Sequence, residues 1–217
     1  MVDDPPVIGP AVTGLAAGRR RIDGRRLRSE RTRQLIIESY LDLLRENPQP
    51  PTASDIAKRA GYSVRSVFER FADLLTLSFA AADHAFAQGM AQAVIRHADG
   101  DRQTRLRSQV ETRAGICERW LPLWRALLHN QHESELLKVR IERMRDVVVA
   151  RLHLMYRPEL STLAETDRNQ LVITLEALTD FESWGLMRER HGLSIEAAHE
   201  VWVNAIDRLL PPTPQES

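Results

Sequence analysis

The sequence predicts an all-α protein of about nine helices, in which a short amino-terminal helix-turn-helix domain precedes a larger helical bundle. Three observations carry this expectation. Apolar side chains recur at helical spacing from Arg31 almost to the carboxy terminus. After Leu74 no alternating run of β-branched residues is bounded by turn signals. Two short helical patterns also meet at Gly61-Tyr62-Ser63, directly behind a longer one.

Residues 1–18 hold most of the local Gly and Pro and only isolated large apolar side chains, so this segment is expected to be mobile. Leu35, Ile36, Tyr40, Leu43 and Leu44 fall on one stripe of a first helix that must end near Asn47-Pro48. Thr52 is placed to cap a second helix whose third residue is Asp55, an imperfect capping box, and Ile56, Ala57 and Ala60 supply its inner face. Gly61 ends that helix after about two turns, because the turn requires a permissive backbone. Ser63 caps a third helix, with Val64, Val67, Phe68 and Phe71 facing inward and Arg65, Ser66, Glu69 and Arg70 outward. Further helices are expected at about 74–98, 102–119, 121–131, 133–156, 164–190 and 195–210, with breaks at Gly100, Pro122, Pro158, Gly192 and Pro211-Pro212.

Composition narrows the class. With 43% hydrophobic and 28% charged residues in 217, the chain reads as folded and soluble. No apolar run approaches the ~20 residues a membrane helix needs, and MVDDPPVIGP is unlike a secretory signal, so a cytoplasmic protein without a membrane partner is expected. The single Cys117 excludes an intramolecular disulfide framework and a thiolate metal site. Net charge is zero, yet Arg19 to Asp73 holds twelve Arg and one Lys against eight acids. The remainder carries the compensating negative charge. A basic first third is expected where one end of a chain meets a polyanion.

In that basic part, a first helix ending LLRENPQPPT is followed by SDIAKRAGYS and then VRSVFERF. This spacing, from Thr32 to Leu77, resembles the tetracycline-repressor (TetR) family of bacterial transcription regulators. The carboxy-terminal part resembles that family in layout, a run of helices closing on an amphipathic pair. The chain differs where members often have Gly-Thr (here Arg65-Ser66), Tyr (here Phe68) and Ser-Lys-Glu (here Asp73-Leu74-Leu75). The Tyr hydroxyl and that Lys usually hold phosphates, a role the arginine-rich arm and Arg70 are expected to replace. The resemblance implies three parts: a flexible basic arm at 1–28, a DNA-binding domain at 29–76 and a ligand-binding and dimerisation domain at 77–217.

Candidate site residues follow. Arg65 and Ser66, with Ser63, Val64, Phe68, Glu69 and Arg70, stand on the helix that such a module points at base edges, and Arg bidentate to guanine is the commonest specific contact. The competing reading is a surface Arg65–Glu69 ion pair at i, i+4. Thr52 and Ser54, at a helix amino end, suit either phosphate or simple capping. The arm from Arg19 to Arg28, with Arg19, Arg20 and Arg21 as its foremost candidates, is expected to lie along the DNA backbone or minor groove, the alternative being a solvated tail. Phe86, Met90, Trp120, Trp124 and Met144 would be core in an ordinary bundle, whereas the resemblance implies the lining of an effector cavity.

Leu171, Leu175, Leu178, Phe181, Glu182 and Trp184 form one wide apolar stripe, and Ile195, Ala198, Trp202, Ala205 and Leu209 another. A two-fold partner is expected to complete a four-helix interface there, with Trp184 and Trp202 as anchors. His129 and His132 lack a third ligand at fixed spacing, and no catalytic triad, phosphate loop or carboxylate pair stands out, so neither metal, cofactor nor catalysis is expected. The resulting expectation is a homodimeric one-component regulator, a repressor released from a palindromic operator of double-stranded DNA by a small-molecule effector. The alternative is an all-helical enzyme or ligand carrier whose first three helices only pack.

Overall fold

The computed structural model of the chain describes residues 17–47, 49–92 and 94–214, with the side chains of 17–23, Gln92 and Glu133 outside the description. Of residues 1–18, expected to be mobile, 1–16 lie outside the described residues, while Ala17 and Gly18 open the first helix. Ten helices and no strand occur among those that are described: α1 Ala17–Glu46, α2 Ala53–Ala60, α3 Val64–Phe68, α4 Leu74–Gln92, α5 Arg102–Asn130, α6 Glu135–Met155, α7 Arg157–Leu160, α8 Glu165–Leu178, α9 Phe181–Gly185 and α10 Ile195–Leu209. A helical turn of wider pitch, Leu186–Arg190, continues α9.

Helix α1 begins well before the boundary expected at residue 28, since the proline-free, arginine-rich stretch from Ala17 is a good helix former. Its buried stripe is Ile36, Ile37, Tyr40, Leu41 and Leu44, one step around from the stripe expected, and Leu35 is exposed. That stripe packs on α2, α4 and α5. The α2 cap forms as a full capping box: Thr52 accepts from the Asp55 amide while Asp55 accepts from the Thr52 amide. These hydrogen bonds from Thr52 hold the Asp55 carboxyl below its ordinary pKa. Gly61 closes α2 with φ 73°, the left-handed backbone that favours glycine. Bidentate hydrogen bonds from Arg59 to Glu46 then tie α2 back to the end of α1.

Helix α5 is the axis of the larger bundle, touching α1, α4, α6, α9 and α10. The break expected at Pro122 is absent: Pro122 lies inside one continuous helix. A mid-helix proline costs about 3 kcal/mol. Trp120, Leu121, Leu123 and Trp124 on either side are all buried, and burying such side chains returns about 1.5–3 kcal/mol each. Packing therefore outweighs the broken ladder.

The helix expected at 164–190 is instead divided at Thr179-Asp180. Asp180 caps α9 by accepting from the Glu182 amide at 2.9 Å, and Arg113 of α5 donates from Nε to the Thr179 carbonyl at 2.8 Å. Both new helix ends are thereby satisfied. Helix α4 also stops six residues short of expectation, at Gln92 rather than 98, and His97 in the following connection has φ 60°.

The carboxy-terminal segment is fastened by two arginines at the start of α5. Arg102 donates to the carbonyls of Asp207, Leu210 and Pro211 and pairs with the Asp207 carboxylate. Arg105 and Glu159 form a bidentate ion pair with side chains 3% and 0% exposed, joined by the Thr213 hydroxyl.

Candidate DNA-reading face and effector cavity

Helices α2 and α3 meet across Gly61, and α3 presents one face to the core and another outward. Val67 and Phe71 hold the inner side, at 0% and 2% exposure. Val64 and Phe68, expected to face inward, are exposed at 39% and 46%. The correction has a geometric cause: α3 ends at Phe68, and a single turn buries only one of its apolar positions before the chain bends toward Phe71. The open face therefore carries Val64, Arg65, Phe68 and Glu69, with Ser63 and Ser66 at its amino end.

Arg65 is the most projecting of these, its side chain 88% exposed, and its Nε donates to Glu69 at 2.9 Å. Such an exposed i, i+4 pair is worth a few tenths of a kcal/mol, about 0.3–0.5, and opens readily. Ser63 is used as the α3 cap, accepting from the Ser66 amide, and the two hydroxyls lie 3.0 Å apart. Arg70 does not project. Its Nη1 donates back to the Ser66 carbonyl at 3.0 Å, so its charge stabilises the end of α3 rather than reaching outward to replace a missing phosphate contact. Thr52 and Ser54 are exposed at the amino end of α2. Tyr62 joins the turn to α1, its hydroxyl 3.2 Å from that of Thr32.

Arg19, Arg20 and Arg21 belong to α1, but their side chains lie outside the described residues. Further along the same helix Arg25, Arg26, Arg28 and Arg31 are exposed. Arg25, Arg26 and Arg28 lie within the arm expected to contact DNA, whereas Arg31 falls just beyond it.

In the larger bundle Phe86, Met90, Trp120, Trp124 and Met144 surround one cavity of about 110 Å³ between α4, α5 and α6. The wall also includes Arg113, Ile116, Leu123, Leu127 and Phe181, which the sequence reading did not place there. Phe181 was expected at an interface, yet it stacks on Trp124 with ring centroids 4.9 Å apart and planes 16° from parallel, while the Arg113 guanidinium lies 4.7 Å from the Phe181 ring centroid. The indole N–H groups of Trp120 and Trp124 are buried without a hydrogen-bond partner. Trp120 is covered by Arg119 at 4.9 Å and by Arg45 of α1 at 5.2 Å, so the cavity wall touches the first helix.

The expected interface stripes are largely internal. Trp184 and Trp202 are 0% exposed and face each other with ring centroids 4.9 Å apart, inside the chain's own core. Trp184 donates from Nε1 to Glu118 at 2.7 Å, and Glu118, held below its ordinary pKa chiefly by hydrogen bonding from Arg188, anchors that contact. Leu175, Ala198 and Phe181 are buried too, and Leu171, Leu178 and Ala205 half-buried. Glu182 is exposed but pairs with Arg125. Only Ile195 and Leu209 among the apolar candidates remain exposed, beside Ile173, Leu186 and Val201. The amphipathic stripes were real, but α6 beneath α8 and α5 beneath α9 and α10, rather than a second copy, cover most of them.

Among the described residues no group of three or more His, Cys, Asp or Glu is placed to hold a metal, and no helix is long and apolar enough to cross a membrane. Cys117 is buried and its thiol is pushed up to about 12 by that burial, which leaves it a small core side chain.

No family model matches the chain, and no curated protein matches it by sequence. Solved structures do. A TetR-family transcriptional regulator from Streptomyces coelicolor superposes with a TM-score of 0.69 at 20% identity, over 83% of this chain and 80% of that one. A chain assigned to the same family from Rhodococcus sp. gives 0.60 at 19% identity, over 82% of this chain and 98% of that one. An open-faced α2-turn-α3 unit on α1, followed by a bundle wrapped around α5, thus gives this chain the all-α fold of the TetR-family transcriptional regulators.

Proposed function

We propose that the chain is a cytoplasmic one-component transcription regulator that binds double-stranded DNA as a homodimer, acting as a repressor released from a palindromic operator by a small molecule. The observation that carries this reading is the outward face of α3, where Arg65 and Phe68 project from a helix fixed beneath by Val67 and Phe71. A helix presented in this way enters the major groove with its first residues toward base edges. The exposed arginines of α1 supply phosphate attraction, which needs only charge and proximity. No catalytic role is assigned to any residue.

Dimerisation would use the exposed apolar side chains of the last helices, Ile173, Leu186 and Val201 among them, rather than the two buried tryptophans. Coupling from cavity to DNA has a physical route in Trp120, which borders the cavity on one side and lies under Arg45 of α1 on the other. A ligand that tilts this ring shifts α1, and with it the spacing of two reading heads that must match half-sites about 34–36 Å apart. Ligand and DNA must then weaken each other by the same factor.

The test is recovery of fragments of the host genome on the purified chain. A palindromic consensus with half-sites one helical turn apart, or a multiple of it, is the expected result. Recovery of DNA without any shared sequence would reject the regulator reading, as would a chain that stays monomeric on its recovered DNA.

A further inference from the structure

The open face of α3 sets one long charge beside apolar surface that the fold does not use. Val64 and Phe68 lie one turn apart and so share a face, and both stay partly exposed while Val67 and Phe71 anchor the helix from below. Arg65, three residues before Phe68, projects alongside them. Single exposed apolar side chains are ordinary on a protein surface. Two on one face of a helix that already presents a base-reading arginine call for an apolar partner, because water against them forgoes the gain from burial.

That partner follows from what a phenyl ring can do on DNA. Phosphate oxygens are acceptors, and Phe68 has no donor to offer them. Base edges in the major groove of unmodified DNA present donors and acceptors, with one exception, the apolar C5-methyl group of thymine. A partly exposed ring on a helix in that groove thus has one complementary surface. Charge makes the occupant DNA rather than an apolar protein face, since Arg65 stands beside the ring and Arg25, Arg26, Arg28 and Arg31 are exposed along α1. Position is bounded as well. Three helical residues rise about 4.5 Å, little more than the ~3.4 Å between successive base pairs, so Arg65 and Phe68 reach bases within about two steps of each other.

We propose that Phe68, flanked by Val64, is a specificity-determining residue that reads the 5-methyl group of a thymine, on either strand, within about two base pairs of the position read by Arg65 in each half-site. This assignment rests on the DNA-binding reading of α3 and adds the chemistry of a second base to it.

The experiment replaces each thymine of one half-site of the recovered operator in turn by deoxyuridine, which deletes the methyl group and leaves pairing intact, and measures the affinity of the full chain by gel shift. One thymine, within about two base pairs of the pair at which Arg65→Ala loses its preference, should cost about two- to fivefold, the worth of one buried methyl group. Phe68→Ala should bind the thymine and uracil duplexes alike at that position, whereas Arg65→Ala should keep the difference. A uracil scan without effect, or an effect that survives Phe68→Ala, overturns the proposal. If Phe68→Ala fails to fold, the wild type decides: 5-iodouracil at the discriminating position, whose iodine stands where the methyl group was, should crosslink on irradiation to Phe68, and a crosslink to another residue overturns it. Specific operator binding that ignores uracil rejects methyl reading and leaves the regulator reading intact; recovery of DNA without any shared sequence rejects both.

Discussion

Replacing Arg65 with Ala separates DNA reading from folding more cleanly than any other change to α3. Its side chain is 88% exposed and its one ion-pair partner, Glu69, is 52% exposed, so the pair contributes only about 0.3–0.5 kcal/mol to the fold. Alanine is a better helix former than arginine, which offsets part of even that. Urea unfolding should therefore move by no more than about 0.5 kcal/mol. At the operator the loss should be about 1–3 kcal/mol, the discrimination of one bidentate guanine contact, which corresponds to roughly 5- to 150-fold in affinity. The assay is a gel-shift titration of the wild type and Arg65→Ala against the recovered operator and against duplexes with each base pair of one half-site exchanged. The variant should lose its preference at one base pair per half-site and keep it elsewhere. A uniform loss on every sequence would make Arg65 a phosphate contact, and a loss of stability above about 1 kcal/mol would make it structural; either result refutes the assignment.

Other parts of the molecule give sharp expectations of their own. Arg105→Ala leaves the Glu159 carboxylate buried beside an empty site, and should cost about 3–5 kcal/mol in urea unfolding. Burial alone would raise the Glu159 pKa, but hydrogen bonds from Arg105 and Thr213 outweigh it and hold the group below its ordinary value. This contribution is accordingly complete above the unfolded carboxylate pKa of about 4.3 and is lost as pH falls through the lower folded value, so the urea midpoint of the wild type should decline below about pH 4 and flatten above about pH 5. Cys117, its thiol pushed up to about 12 by burial, should resist a thiol reagent at pH 8 until the chain unfolds, and rapid labelling of native protein would contradict the packing described. Gly61→Ala should cost about 1–2 kcal/mol through backbone strain alone, because φ is 73° and an added Cβ meets nothing within 4 Å; an unchanged stability would disprove the left-handed turn.

Local signals in this sequence translated well where they were short-ranged. Thr52, Asp55 and Gly61 act over three to nine residues, and the turn they specify is the one that forms. The five large side chains that meet at the cavity were legible as a cluster because α4, α5 and α6 must each bury an apolar stripe. The failures share a different cause. Pro122 is a breaker only while its helix is considered alone, and Trp184 and Trp202 look like an outward anchor only until α5 is placed between them and solvent. Phe181 joined the cavity because the α8–α9 break rotates it, and Thr179-Asp180 followed by Glu182 was a capping signal that went unread inside a long periodic stretch. Arg70 bends back to a carbonyl, a choice no spacing rule encodes.

The distribution of the four tryptophans also gives the molecule a built-in optical reporter. Trp184 and Trp202 are sealed together in the core, so their emission should be blue-shifted and indifferent to anything entering the cavity. Trp120 and Trp124 share the cavity wall with any bound molecule, and Trp120 also lies under Arg45 of the first helix. Their emission should respond to filling of the cavity and to movement of that helix, against a constant background from the other pair. Exciton coupling between Trp184 and Trp202 should add a near-ultraviolet dichroism signal that survives both events and disappears only when the bundle itself comes apart.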